Sequence, residues 1–381
     1  MGQEVAIVGI GRIPCEAKIG SKSLNEIIFQ VTRAALDDAG IEREAVDNVV
    51  LAASDQLDGR AICSMVLACP AGAYLKDEIK VCQDGSTAVA MAYMRLASNV
   101  YDVSLVVSWT KCSETPVLQV TNLSCEPFFN RPIGLNYIST AALQAGVYTN
   151  SFGVTPEDAA KVIIKNRANG AKNPLSHLKQ PVTADEIKNS PLVAWPLRRI
   201  DLPPESDSAC ALVLVSSNHV RKIGRSPVWI SGIGWATDTY YLGSRNLNHI
   251  ESLRGAAKMA YRMAGINDPR KEIGLIEIQE ITAYHELINY EALGLCNAGE
   301  GKCLIEQGVT LRDGDLPVNL SGGALCSNPV FCGGLIGVAE AAMQIRGEAG
   351  NQANRKIRTA LAHGTYGFCG QGNTVIILKG Q

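Results

Sequence analysis

QVTRAALDDAGIEREAVDNVVLAAS (residues 30–54) and GAAKMAYRMAGINDPRKEIGLIEIQE (residues 255–280) read as two versions of one motif. In each, a helical run ends at Ala-Gly-Ile (Ala39-Gly40-Ile41 and Ala264-Gly265-Ile266), a charged loop follows, and an apolar strand closes the unit. Glycine at that point suits the left-handed residue that ends a helix, and the isoleucine after it can pack back on the last turn. Outward from this motif, each copy leads to a buried helix that opens at glycine, GSTAVAMAYMRLAS from Gly85 and CGGLIGVAEAAMQIRGEAG. Each half then ends in a β-branched strand, YDVSLVVSW and NTVIILKGQ. The repeated order predicts a duplicated α/β chain with buried, largely parallel sheets. Residues 1–225 would form the first half and 226–381 the second, with a less regular insertion at about 112–205. Within it, Thr155, Pro156 and Asp158 read as an N-cap, first residue and first-turn acid of a polar helix.

Bulk properties narrow the function. The 381 residues are 46% hydrophobic and 19% charged, with a net charge of −2, which gives no electrostatic footprint for nucleic acid. No apolar run is long enough to span a bilayer, and MGQEVAIVGIGR reads as a first strand, not a signal peptide. The 12 cysteines show neither CxxC pairs nor zinc spacings, so reduced thiols in a cytoplasmic protein without a metal of its own are expected. VGIGRIPCEAKIG invites a dinucleotide-binding reading, but Pro14 stands where a third glycine should open a helix. The hydride-transfer class is rejected, and Gly9 and Gly11 are expected to serve a tight strand exit.

One thiol stands apart from the buried packing cysteines that form the ordinary case. In KVCQDGSTAVAMAY, Cys82 precedes a Gly-Ser-Thr helix start, where unpaired N–H groups and the helix dipole favour a thiolate. Asp84 works against this, because a carboxylate close by raises a thiol pKa.

Four further stretches, GVTPEDAAKVIIKNRANGAKNP, SPLVAWPLRRIDLPPESDSACALVLVS, HELINYEALGLCNAGEG and NLSGGAL followed by AEAAMQIRGEAG, occur in an order that resembles the thiolase superfamily, in its sterol-carrier-protein-x and archaeal branch. The resemblance covers almost the whole chain. It implies a five-layered α/β/α/β/α thiolase fold of two duplicated halves with an inserted loop domain, assembled as a homodimer. It implies CoA as co-substrate, no covalently bound cofactor, and a degradative (retro-Claisen) reaction in which Cys82, at the position of the family's Cys-x-Ser-Gly cysteine, attacks a carbonyl to form an acyl-enzyme. Backbone N–H groups of Cys82 and a glycine of the C-terminal loop, here Gly370, would hold the oxyanion.

The pattern breaks at the proton carriers. The family's Gly-His-Pro reads Ser327-Asn328-Pro329, and asparagine can bond an oxyanion but cannot serve as a base. The His-Asp-Cys-Phe motif reads Gln279-Glu280-Ile281-Thr282. Among five histidines, His285, beside Glu286, is the best-placed acid/base candidate, and His363 would orient the C-terminal loop. In GTYGFCGQG, Tyr366 and Cys369 share the second acid/base role. Two other readings stay open: a thiolase-fold aldolase acting on a β-hydroxyacyl-CoA, and a non-catalytic acyl-CoA-binding subunit. The departures also resemble the branch that handles 2-benzoylsuccinyl-CoA in anaerobic toluene degradation, giving benzoyl-CoA and succinyl-CoA. That likeness implies a small zinc-binding OB-fold companion subunit, and a cationic contact for the substrate carboxylate from Lys165, Arg167, Arg198 or Arg199.

Overall fold

In the computed structural model, which describes residues 3–220 and 223–380, the chain opens with β1 (Val5–Arg12), α1 (Leu24–Ala39), β2 (Asn48–Ala52), β3 (Asp77–Val81), α2 (Gly85–Ala97) and β4 (Val103–Lys111). The segment that follows carries α3 (Tyr137–Phe152) and α4 (Pro156–Gly170) and returns to the sheet as β5 (Asp207–Ser216). The order then repeats with β6 (Val228–Thr237), α5 (Glu251–Ala264), β7 (Leu275–Ile278), α6 (Ala283–Ala292), α7 (Gly333–Arg346), β8 (Thr359–Tyr366) and β9 (Gly372–Lys379).

The duplication is visible in the pairing. In the first half β3, β2 and β4 are parallel, and β5 and β1 add antiparallel beyond β4. In the second, a parallel bridge from Val318, then β7 and β8, correspond to β3, β2 and β4, and β9 and β6 add antiparallel. The sheets are therefore mixed, not largely parallel as expected. The cause lies between β8 and β9: residues 367–371 are too few for a crossover and can only make a hairpin. YDVSLVVSW thus corresponds to β8, and NTVIILKGQ to β5. The two sheets touch along one short seam, Ala6 and Ile7 of β1 against Trp229 and Val228 of β6.

The helix ends behave as read. Gly40 and Gly265 have φ of 68° and 70°, and Ile41 and Ile266 each donate to the carbonyl five residues back. Gly9 and Gly11, by contrast, are not a strand exit. They lie within β1 under α1, where a Cβ on Gly11 would sit 2.0 Å from the Val31 carbonyl oxygen. A Cβ on Gly234 of β6 would lie the same 2.0 Å from the Ala256 carbonyl oxygen of α5, a second internal echo with a packing reason.

Five layers result. α1 packs on the outer face of the first sheet with Val8, Val49, Leu105 and Val213, and α5 on the outer face of the second with Leu361, Val375 and Ile377. α2 and α7 lie between the inner faces. The helices of the insertion share the core of the second sheet, through Tyr148, Val162 and Ile163. α4 starts with the anticipated cap, Thr155 and Asp158 bonding each other's backbone with Pro156 in the first turn. None of the helices described is long and apolar enough to cross a membrane.

The central helices meet at their N-termini. A Cβ on Gly85 would lie 2.5 Å from the Leu335 Cβ, so glycine is needed for this approach. Asp84 caps both: Oδ1 accepts from the Ser86 amide at 2.8 Å, and Oδ2 from the Gly334 amide at 3.2 Å. Burial holds the Asp84 carboxyl up at about 6, against the hydrogen bonds that favour its charge. The helix N–H groups expected to support a Cys82 thiolate are therefore engaged by Asp84.

Candidate active site

A cavity of about 740 Å³ opens where the loops after β2, β3, β7 and β8 converge with the insertion. Cys82 follows β3 directly and stands exposed on its wall, with no hydrogen bond described for its sulfur. Asn328 lies on the same wall. Its backbone is pinned by reciprocal bonds with Ser206, the Asn328 amide donating to Ser206 Oγ at 3.1 Å and its carbonyl accepting from the Ser206 amide at 3.2 Å. No hydrogen-bond partner is described for its carboxamide. Tyr366, at the end of β8, completes the group; its hydroxyl is 2.8 Å from Thr237 Oγ1.

The structure brings those three candidates together and excludes the others. His285 is buried on α6, all of whose ten residues are buried. Its Nε2 lies 3.0 Å from Gln144 Oε1, and that amide is oriented by its bond to the Leu247 carbonyl. Nε2 therefore carries the hydrogen, and Nδ1 accepts from the Thr282 hydroxyl at 2.8 Å. Burial pushes its pKa down to about 3. With both ring nitrogens occupied and no access to the cavity, His285 is a structural residue and not the proton carrier expected from its neighbour Glu286.

This has a measurable signature. A histidine kept neutral by the fold stabilises it above the ordinary pKa of 6.5 and loses that contribution as the pH falls, because the unfolded chain takes up the proton first. Between pH 6.5 and 5 the loss through His285 is about 2 kcal/mol. His285→Gln should cost about 1 kcal/mol at pH 8 for imperfect hydrogen bonds, and its deficit against wild type should vanish or reverse by pH 5. Urea unfolding at both pH values checks this; an equal deficit at each would contradict it.

Cys369 is also out of reach. It is 1% exposed, its thiol donates to the Thr140 carbonyl at 3.1 Å, and burial pushes its pKa up to about 12. Gly370, the proposed oxyanion-hole residue, is likewise absent from the wall; its carbonyl accepts from Ser252 Oγ and Asn373 Nδ2, while Gly367 and Phe368 face the cavity in its place. His363 bonds Asn373 Oδ1 at 2.8 Å, so it does hold this loop through Asn373. No lysine or arginine is among the described lining residues. Lys165 is instead ion-paired with Glu286 in the interior, and the Arg198 guanidinium donates to the Ser190 carbonyl.

Sequence reasoning assigned no role to several wall residues. Gln279, at the family's histidine position, donates to the Val330 carbonyl at 3.0 Å and accepts from the Thr365 amide at 3.1 Å, tying three loops together. Tyr240, on the wall, accepts from the Glu126 amide at 2.6 Å, which anchors the start of the loop that carries Phe128 and Phe129. Tyr137, Phe331 and Phe368 add three further aromatic residues to the wall.

Residues 5–195 match the family model "Thiolase, N-terminal domain" and residues 234–379 match "Thiolase C-terminal domain-like". The chain belongs to the thiolase superfamily, acyl-transferring enzymes that use coenzyme A as co-substrate. It is 27% identical over 98% of both chains to an acetyl-CoA acetyltransferase of Methanothermobacter thermautotrophicus. It is 30% identical over 61% of both chains to the benzoylsuccinyl-CoA thiolase subunit BbsB of Thauera aromatica. A solved structure of an Ltp2-ChsH2(DUF35) aldolase superposes with a TM-score of 0.85 at 25% identity, covering 99% of this chain and 98% of that one.

Proposed function

We propose that this chain cleaves a β-ketoacyl-CoA with CoA through an acyl group carried on Cys82. The carrying observation is that an exposed Cys82 shares the lining of one cavity with Asn328 and Tyr366. The thiolate attacks the keto carbonyl, and Asn328 donates to the oxyanion that forms. Collapse breaks the carbon–carbon bond; the electron pair stays on the α-carbon of the departing acyl-CoA, which takes a proton from Tyr366, backed by Thr237. CoA then attacks the thioester on Cys82, its thiol proton returns to Tyr366, and the sulfur is released.

The aromatic wall suits an aryl acyl group, as in a benzoylsuccinyl-CoA. The free carboxylate of that substrate would need a cation from outside the cavity of one chain. A second copy in a homodimer, or a small zinc-binding OB-fold companion, is the source this reading requires, and the two-protein name of the Ltp2-ChsH2(DUF35) structure supports a companion. A cytoplasmic location is part of the same reading.

A second reading, aldol cleavage of a β-hydroxyacyl-CoA, is favoured by one observation: no histidine is among the described lining residues, and a tyrosine stands at the acid/base position. Product stoichiometry separates the two. Thiolysis consumes one free CoA per bond broken and yields two thioesters. Aldol cleavage consumes none and releases an aldehyde or ketone, which would overturn the proposal.

A further inference from the structure

We infer that Gln279 is a positioning residue whose carboxamide braces the segment carrying Asn328 against the strand end carrying Tyr366. The inference rests on the reading of those two as oxyanion donor and proton carrier, and deepens it. β7 ends at Ile278, opposite His363 of β8, and the Gln279 amide still donates to the His363 carbonyl at 3.2 Å. In a continued parallel ladder the next rung would run from the Thr365 amide to the Gln279 main-chain carbonyl. Here the side chain takes that place, with Oε1 accepting from the Thr365 amide at 3.1 Å. The other end of the same planar group, Nε2, donates to the Val330 carbonyl at 3.0 Å. Its orientation is fixed by its partners, because an amide N–H can only donate and a carbonyl can only accept.

Both partners adjoin the chemistry. Thr365 immediately precedes Tyr366, Val330 follows Asn328 by two residues, and all four line the cavity with Gln279. Val330 also needs support. Its φ is 22°, on the positive side where a β-branched residue is strained. Such a conformation persists only where the surroundings over-determine it. Within its own turn the Val330 carbonyl accepts from the Gly333 amide, and Ser206 holds the Asn328 end, but neither reaches β8. Among the described residues no direct hydrogen bond joins residues 328–332 to β8, so Gln279 is the polar link between them. The packing leaves room for nothing else there: a Cβ on Gly333, at the start of α7, would lie 2.6 Å from Gln279 Nε2.

The test uses Gln279→Met, which keeps the length of the side chain and removes both bonds, and Gln279→Asn, which is too short to span both partners. Amide hydrogen exchange of the free protein, read by mass spectrometry, should quicken in the peptides covering residues 328–332 and 364–366 and stay unchanged in the peptide carrying Cys82. This comparison needs no turnover, so it decides the brace whichever acyl-CoA the enzyme prefers. With acetoacetyl-CoA and CoA, kcat should fall about 10- to 100-fold and KM should stay within about twofold, the pattern of misplaced reacting groups. The signature of action through Asn328 is coupling. In an Asn328→Ala background Gln279→Met should lower kcat by a factor at least about threefold smaller than in wild type, whereas a merely structural role gives the same factor in both. Unchanged exchange in both segments, or equal factors in the two backgrounds, overturns the inference. A failure of the Cys82 reading would show separately, as bond cleavage retained in Cys82→Ala.

Discussion

Cys82→Ala should abolish CoA-dependent cleavage, lowering kcat by about 10⁴-fold or more while leaving the fold intact. The size follows from the mechanism: without the sulfur there is no acyl-enzyme, and the remaining oxyanion and proton donors give only residual catalysis. The intact fold follows from position. Cys82 is exposed and makes no described hydrogen bond, so its loss should change stability by less than about 0.5 kcal/mol. Turnover and urea unfolding measured on one preparation check both halves. A variant that still consumes CoA and breaks the bond at wild-type rate would remove Cys82 from the chemistry.

The largest stability effect is expected at a site the sequence suggested for substrate binding. Lys165 is buried against Glu286, with Tyr290 and the Val318 carbonyl at 3.3 and 3.1 Å, and Asn166 and Asn319 bridge Glu286 to Glu280. The ammonium thus pairs with Glu286 alone, while the two asparagines hold the second buried carboxyl beside it, and burial and the Glu286 charge push Glu280 upward. Lys165→Met leaves that negative charge unpaired and should cost about 3–5 kcal/mol. Pairing it with Glu286→Gln should recover part of the loss, because the uncompensated charge goes too. Urea unfolding of the single and double variants reads both. A single variant within about 1 kcal/mol of wild type would contradict the account of this cluster.

What could be read ahead of the structure, and what could not, divides along local and non-local lines. Gly40 and Gly265 announce helix ends because a left-handed residue is a local demand, and the same is true of the Thr155 cap. The helix start behind Cys82 was legible because it is adjacent in sequence. Strand direction was not, since β8 and β9 look alike as apolar runs and only the shortness of residues 367–371 makes them antiparallel. His285 was misread for a related reason. In a helix buried on every side, neighbouring a glutamate says nothing about which surface the ring meets. Asp84 showed its charge in the sequence but not its partners, because Gly334 lies 250 residues away. The cavity wall at Gln279, Tyr240 and Asp55 comes from three separate loops, and no spacing pattern connects them.

The most direct measurement is the intact mass of the protein after brief exposure to a β-ketoacyl-CoA with no free CoA present. The account predicts a gain equal to one acyl group, mapped by peptide mass to Cys82, released on addition of CoA and absent from Cys82→Ala. Cleavage of the substrate with no mass gained on Cys82 would contradict it.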